Sequence, residues 1–207
     1  MIIRLRNLAQ IGAAVLCVLA APAPAQQRPQ WPQSPTNFQP TIEDVAPGVD
    51  HGNSDDNLAD QFQRQAVFYR SHHPVGTIIV ETSERHLYLI ESETRALRYG
   101  IGVGRDGFTW SGLLQISRKS EWPDWVPPPE MIARQPYLPR FMAGGPGNPL
   151  GARAMYLGGT VYRIHGTNAP ETIGHAVSSG CFRLVNDDVM DLYDRVPVGT
   201  HVIVRQN

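Results

Sequence analysis

The sequence predicts a mostly-β domain that ends with one main C-terminal helix and carries a long irregular insertion. Three observations predict it. From Gly76 onward, short runs rich in β-branched and aromatic residues alternate with glycine and polar turns. One stretch, "NDDVMDLYDRV" at 186–196, has a clear helical period. Before it, "EWPDWVPPPEMIARQPYLPRFMAGGPGNPLG" (121–151) is rich in Pro, Gly and aromatics and has no regular period.

The β elements come in order. Thr77–Thr82 and His86–Glu91 are two strand-like runs joined by the polar "SER", which reads as a hairpin. "ALRYGIGVGR" (96–105) is a third run, ending in glycines, and "LLQISRK" (113–119) a fourth. "MYLGGTVYRIHGT" (155–167) reads as strand, Gly-Gly turn and strand, the second strand running Val161–Ile164 into His165. In the helix, Asn186 is the expected N-cap and Asp187 and Asp188 fill the first turn. Val189, Leu192, Tyr193 and Val196 share its apolar face. "GTHVIVRQ" closes the domain with a strand. The 121–151 segment has two readings, a lid over a binding site or a proline-stiffened loop covering a sheet edge.

The chain has 207 residues, 42% hydrophobic and 18% charged, which suits a globular domain with extra length. A net charge of −1 gives no footprint for nucleic acid. At the N-terminus, "MIIRLRNLAQ" carries Arg4 and Arg6 and no acid, an apolar run follows, and "APA" at 23–25 supplies small residues. This pattern predicts a secretory signal peptide over 1–25, cleaved after Ala25. The apolar run is short for a membrane span. Lipid attachment at Cys17 is disfavoured by the large Leu16 before it. Cleavage moves the net charge to −3 and removes Cys17. Residues 26–54 are a Pro/Gln-rich linker, 55–75 a helix ("DDNLADQFQRQAVFYR", with Leu58 and Phe62 on related faces) and connector, and 76–207 the main domain.

The mature chain then holds one cysteine, Cys181, in a compartment where disulfides form. It is buried and inert, paired between chains, or a reactive thiol. It sits in "SSGCFRL" behind Ser178, Ser179 and Gly180, small residues that let a backbone turn tightly. Amides of Gly180 and Cys181 are then candidates for an oxyanion site. A thiol nucleophile needs a base, and His165, at the end of a predicted strand, is the candidate. Arg183, two residues beyond Cys181, shares its face if the chain is extended and suits a substrate carboxylate. A metal reading would use His165, His175 and Cys181, but their spacing lacks the tight ligand pairs of zinc sites, and no metal is expected.

"RIHGTNAPETIGHAVSSGCFRLVNDDVMDLYDRVPVGTHVIV" resembles the L,D-transpeptidase catalytic domain (YkuD-like; the ErfK/YbiS/YcfS/YnhG group). The family pattern is a histidine, a spacer in the mid-teens, then Ser/Thr-x-Gly-Cys-x-Arg/Asn. His165, Ser178, Gly180, Cys181 and Arg183 match it. "GVGRDGFTWSG", "WPDWVPPPEM" and "NPLGARAMYLGGTVYRIHGT" also look like family segments, so the resemblance covers roughly 76–205. Where many members have a histidine before the glycine, this chain has Ser179, and His175 does not replace it.

The resemblance implies a β-sandwich-like fold and a cysteine transpeptidase acting on peptidoglycan stem peptides. Cys181 would be the nucleophile, His165 the general base and acid, Gly180 an oxyanion amide, and Ser178 a support for the loop. Arg183, Ser179, Gly166, Trp122 and Trp125 would contact substrate. The acceptor would be a diaminopimelate amine, with water, a 1→3 linkage or an outer-membrane protein as alternatives, and a non-catalytic wall-binding module as the reading from another class. No cofactor is implied. A monomer in the periplasm of a Gram-negative-type cell, open to carbapenem acylation, is expected.

Overall fold

A computed structural model describes residues 58–206; the expected signal peptide, the expected linker and residues 55–57 of the expected helix lie outside them. The strands are β1 (Gln65–Phe68), β2 (Ile78–Glu81), β3 (His86–Ser92), β4 (Arg95–Gly100), β5 (Val103–Gly104) and β6 (Gly112–Glu121). After a short helix α1 (Pro129–Arg134) come β7 (Arg153–Leu157), β8 (Arg163–His165), β9 (Ala176–Ser178) and β10 (Phe182–Arg183). Helix α2 (Asn186–Arg195) and β11 (His201–Arg205) complete the chain.

Nine strands form one sheet in the order β1-β4-β3-β2-β11-β6-β7-β8-β10, and β5 pairs with β9 apart from it. Strand β6 is the corner. Its first half, Gly112–Gln115, pairs with β11, and its second half, Ile116–Glu121, pairs with β7 after a register shift between Ile116 and Arg118. A bulged strand that changes partners folds one sheet over itself. Both arms therefore face one core. Ile78, Val80, Leu87, Leu97 and Tyr99 come from one arm, and Met155, Leu157, Ile164 and Phe182 from the other. Val189, Leu192 and Val196 of α2 join the same core. This is the mostly-β, sandwich-like arrangement with one main helix that the sequence predicts. The hairpin is β2–β3, and the Gly-Gly turn joins antiparallel β7 and β8.

Two local expectations are corrected. Over 58–70 there is no α-helix: Asp60–Phe62 is a single 3-10 turn, and Gln65–Phe68 is a strand on the edge of the sheet. The reason is tertiary. Phe62 lies against two glycines, where a Cβ on Gly100 would come 2.5 Å from Phe62 Cβ and one on Gly174 2.2 Å from its ring. Val67 and Tyr69 cover the outer face of β2–β4, packing on the cluster of Ile79, Tyr88, Ile90 and Ala96. Asn186 is not the N-cap; it is the first residue of α2, after Val185. Its side chain accepts from the Ala152 amide at 2.8 Å, a buried bond between elements that outcompetes a local cap.

The 121–151 segment builds its own small core from Trp125, Leu138 and Leu150, with Met131, Tyr137 and Met142 packed on it. Trp125 and Met142 exchange two backbone hydrogen bonds of 2.8 Å. This cluster forms one wall of the cavity described next.

Candidate active site

Strands β8 and β10 run parallel, with Ile164 beside Phe182 and His165 beside Arg183. Side chains alternate across a strand. Ile164 and Phe182 point into the main core and are buried. Arg163, His165, Cys181 and Arg183 therefore share the opposite face. One step back along the register sets Cys181 beside Arg163 and diagonal to His165. The Arg163 backbone accordingly favours the thiolate form of Cys181. All four side chains line one cavity, whose far wall is Trp125, Met131, Leu138 and Leu150 of the insertion.

The imidazole of His165 is buried, and its Nδ1 lies 2.6 Å from the Gly166 carbonyl. A carbonyl only accepts, so Nδ1 carries the proton and Nε2 keeps the lone pair. Gly166 itself does not line the cavity. A Cβ there would meet Asn186 Oδ1 at 2.3 Å and the Ala152 amide at 3.0 Å, so the residue is confined to glycine by packing. Burial, then the charges of Arg183 and Arg163, hold His165 down to about 3. Burial also pushes the Cys181 thiol up, against the opposing pull of Arg163 and Arg183. The resting pair is accordingly a neutral thiol and a neutral imidazole. The thiol, half-buried, donates to the Val161 carbonyl at 3.9 Å, a long contact even for sulfur.

Ser178 closes the cysteine loop on itself. Its Oγ donates to the Cys181 carbonyl at 2.6 Å and accepts from the Gly180 amide at 3.2 Å. The Gly180 amide is thereby engaged, and the Cys181 amide has no partner among the described residues. Gly180 is needed for its conformation instead, since its φ is +99° and a Cβ would lie 2.7 Å from the Tyr162 ring. Its carbonyl accepts from Trp110 Nε1 at 2.8 Å. Ser179 lines the cavity and accepts from Arg134 of α1 at 3.3 Å, tying the insertion to the loop. Arg183 lines the cavity too. Of the two tryptophans, Trp125 lines it while Trp122 lies outside, 39% exposed. No group of three or more His, Cys, Asp or Glu residues suited to a metal occurs among the described residues.

Sequence reasoning misses two residues here. Arg163 had a usable signal: it precedes His165 by two on the same strand and so shares its face. Trp110 had none, because its bond to Gly180 spans 70 residues.

A mostly-β domain with a Cys-His pair in a walled cavity defines the class, and sequence similarity gives the family. Residues 76–204 match the L,D-transpeptidase catalytic domain, YkuD. The chain belongs to that family. It is 42% identical over 134 residues to the probable L,D-transpeptidase ErfK/SrfK of Escherichia coli K12, covering 60% of this chain and 42% of that protein, so it spans less than half the length of that relative. The Enterococcus faecium L,D-transpeptidase catalytic domain acylated by ertapenem has the same fold, at 20% identity and a TM-score of 0.50, covering 65% of this chain and 100% of that one. A Brucella melitensis chain described as a probable carnitine operon oxidoreductase is 51% identical, covering 72% of this chain and 96% of that one at a TM-score of 0.48, and no inference rests on it.

Proposed function

We propose that this protein is a peptidoglycan L,D-transpeptidase with Cys181 as nucleophile and His165 as general base and acid. The observation that carries the reading is their placement: His165 ends β8, Cys181 directly precedes the neighbouring β10, and both line one cavity.

The chemistry follows from the resting protonation states. A neutral thiol is a weak nucleophile, so its proton must move as the bond to carbon forms. His165 Nε2 is the acceptor because Nδ1 is committed to Gly166. The Cys181 sulfur attacks the carbonyl at the L-centre of diaminopimelate in a tetrapeptide stem, leaving its contact with Val161. The oxyanion that develops takes the free Cys181 amide, in a loop fixed by Ser178. The carbon–nitrogen bond breaks, the imidazolium returns its proton to the departing D-Ala amine, and a thioester remains. A diaminopimelate amine on a second stem then attacks the thioester, His165 takes its proton, and a 3→3 cross-link forms with the thiol restored. Export through the 1–25 signal peptide would bring the enzyme to its substrate in the periplasm, and a carbapenem would acylate the same sulfur.

The test is mass spectrometry of muropeptides after incubation of the mature enzyme with tetrapeptide donors. D-Ala release and dimers are expected, and both are lost in Cys181→Ala. D-Ala release that survives this substitution overturns the assignment. The product also reads the acceptor: tripeptide without dimer indicates water, and a 1→3 dimer indicates the other linkage.

A further inference from the structure

We infer that Arg163 forms a second anion subsite, on the side of Cys181 away from the leaving group, which reads a free carboxylate on the side chain of the residue that supplies the acyl group. This rests on the transpeptidase reading above and narrows its donor: the diaminopimelate must be unamidated.

Four observations place it. First, the cavity is cationic. Its ionisable lining is Arg163, His165, Cys181 and Arg183, and no Asp or Glu lines it. Second, Arg163 has no anionic partner among the described residues. Its guanidinium makes no hydrogen bond or ion pair among the described residues, and its Nε is buried without a partner. A buried donor left unpaired is costly, and a ligand carboxylate would satisfy it. Third, the head is held in place. It packs against the Tyr156 ring at 5.4 Å, and Arg118 covers the same ring at 3.6 Å. An arginine already ordered by stacking loses less freedom on binding.

Fourth, the register assigns the sides. His165 stands beside Arg183, so the amine that His165 protonates departs toward Arg183, and that cation suits the carboxylate of the leaving D-Ala. Arg163 stands beside Cys181 at the other end of the square. A donor held by its attacked carbonyl between the two therefore turns its acyl-side residue to Arg163. Arg183 has an acid within electrostatic reach, Glu171, which tempers its pull.

The experiment compares two tetrapeptide donors, identical except that the side-chain carboxylate of the third residue is free or amidated. D-Ala release is measured for the wild type, Arg163→Gln and Arg163→Lys. The wild type is expected to favour the free acid by about tenfold to a hundredfold in kcat/KM, the range a charge-assisted contact supports. In Arg163→Gln the ratio should fall to near one, and in Arg163→Lys it should lie between. The ratio cancels any effect of Arg163 on the thiol itself. A wild type that uses both donors equally overturns the subsite and leaves the transpeptidase reading intact, and needs no variant. A preference that persists unchanged in Arg163→Gln also overturns it. Release from neither donor, by a wild type of intact fold, overturns the underlying reading.

Discussion

The indole of Trp110 donates to the carbonyl of Gly180 at 2.8 Å. The ring stacks on Tyr162 at 4.5 Å and 11°, and Tyr162 in turn fills the space where a Gly180 side chain would be. One peptide plane joins this carbonyl to the Cys181 amide, and the two point in opposite directions in a trans peptide. Fixing the carbonyl on Trp110 therefore fixes the direction of the amide that the proposed oxyanion uses.

Trp110→Phe tests this, since an aromatic ring remains against Tyr162 while the donor and part of the indole's packing go. The orphaned carbonyl should cost about 1–3 kcal/mol of stability. A loop free to rotate by a fraction of an ångström should slow acylation of Cys181 by about 10- to 100-fold. Stopped-flow acylation by a carbapenem reads the rate, and thermal melting reads the stability. A variant that melts lower but acylates at the wild-type rate would show Trp110 to be structural only.

Much of this site was legible in the sequence because its parts lie within single short segments. His165 ends a strand bounded by a Gly-Gly turn, and period-2 alternation fixes its face. Ser178, Gly180 and Cys181 sit in a loop that small residues announce. The face of α2 read from its period is the one that is buried, with Val189 and Leu192 inward. What was hidden depends on residues far apart in the chain. Asn186 reads as a cap until Ala152 is brought beside it. Gln65–Phe68 reads as helix because its pairing partner is Arg95–Arg98, thirty residues on. The Gly180 amide reads as an oxyanion donor until the Ser178 hydroxyl is seen to take it.

Arg183→Gln should move the two titrations of the site in concert. The Arg183 charge pulls the thiol down and disfavours the imidazolium form of His165. Removing it should raise both groups. In the wild type, alkylation of Cys181 by the neutral reagent iodoacetamide is expected to rise only on the alkaline side, with no step near pH 6–7, because His165 stays neutral down to about 3. In the variant the alkaline limb should shift to higher pH. A limb shifted to lower pH would contradict the placement of Arg183 beside the thiol.

The same burial makes His165 an acid liability. Its pKa is lower folded than unfolded, so the unfolded chain binds the extra proton first. Its stabilising contribution is complete above about pH 6.5, the usual histidine value, and is lost as the pH falls toward 3. The loss should reach roughly 4 kcal/mol by pH 3. His165→Gln removes this term, and urea midpoints measured from pH 7 to pH 4 should fall less steeply in the variant. Parallel slopes in the two proteins would contradict a buried, neutral imidazole.

The N-terminal boundary of the folded unit is open to a direct test. A chain that starts at residue 76 keeps every residue lining the cavity, but it loses β1 and Phe62. It also loses Arg64, which lies 3.5 Å from Asp188 and 3.4 Å from Asp191 of α2. Two consequences should follow. The exposed edge of β4 is a template for pairing with another chain. The hollow over Gly100 and Gly174, left without its aromatic ring, lowers stability. The chain beginning at 76 is therefore expected to melt well below one beginning at 58 and to self-associate as concentration rises. Phe62→Ala in the longer chain isolates the packing part, and because that ring is half-buried the cost should be about 2 kcal/mol, below the range for a fully buried phenylalanine. Equal melting temperatures for the two chains would show that residues 58–75 rest on the domain without stabilising it.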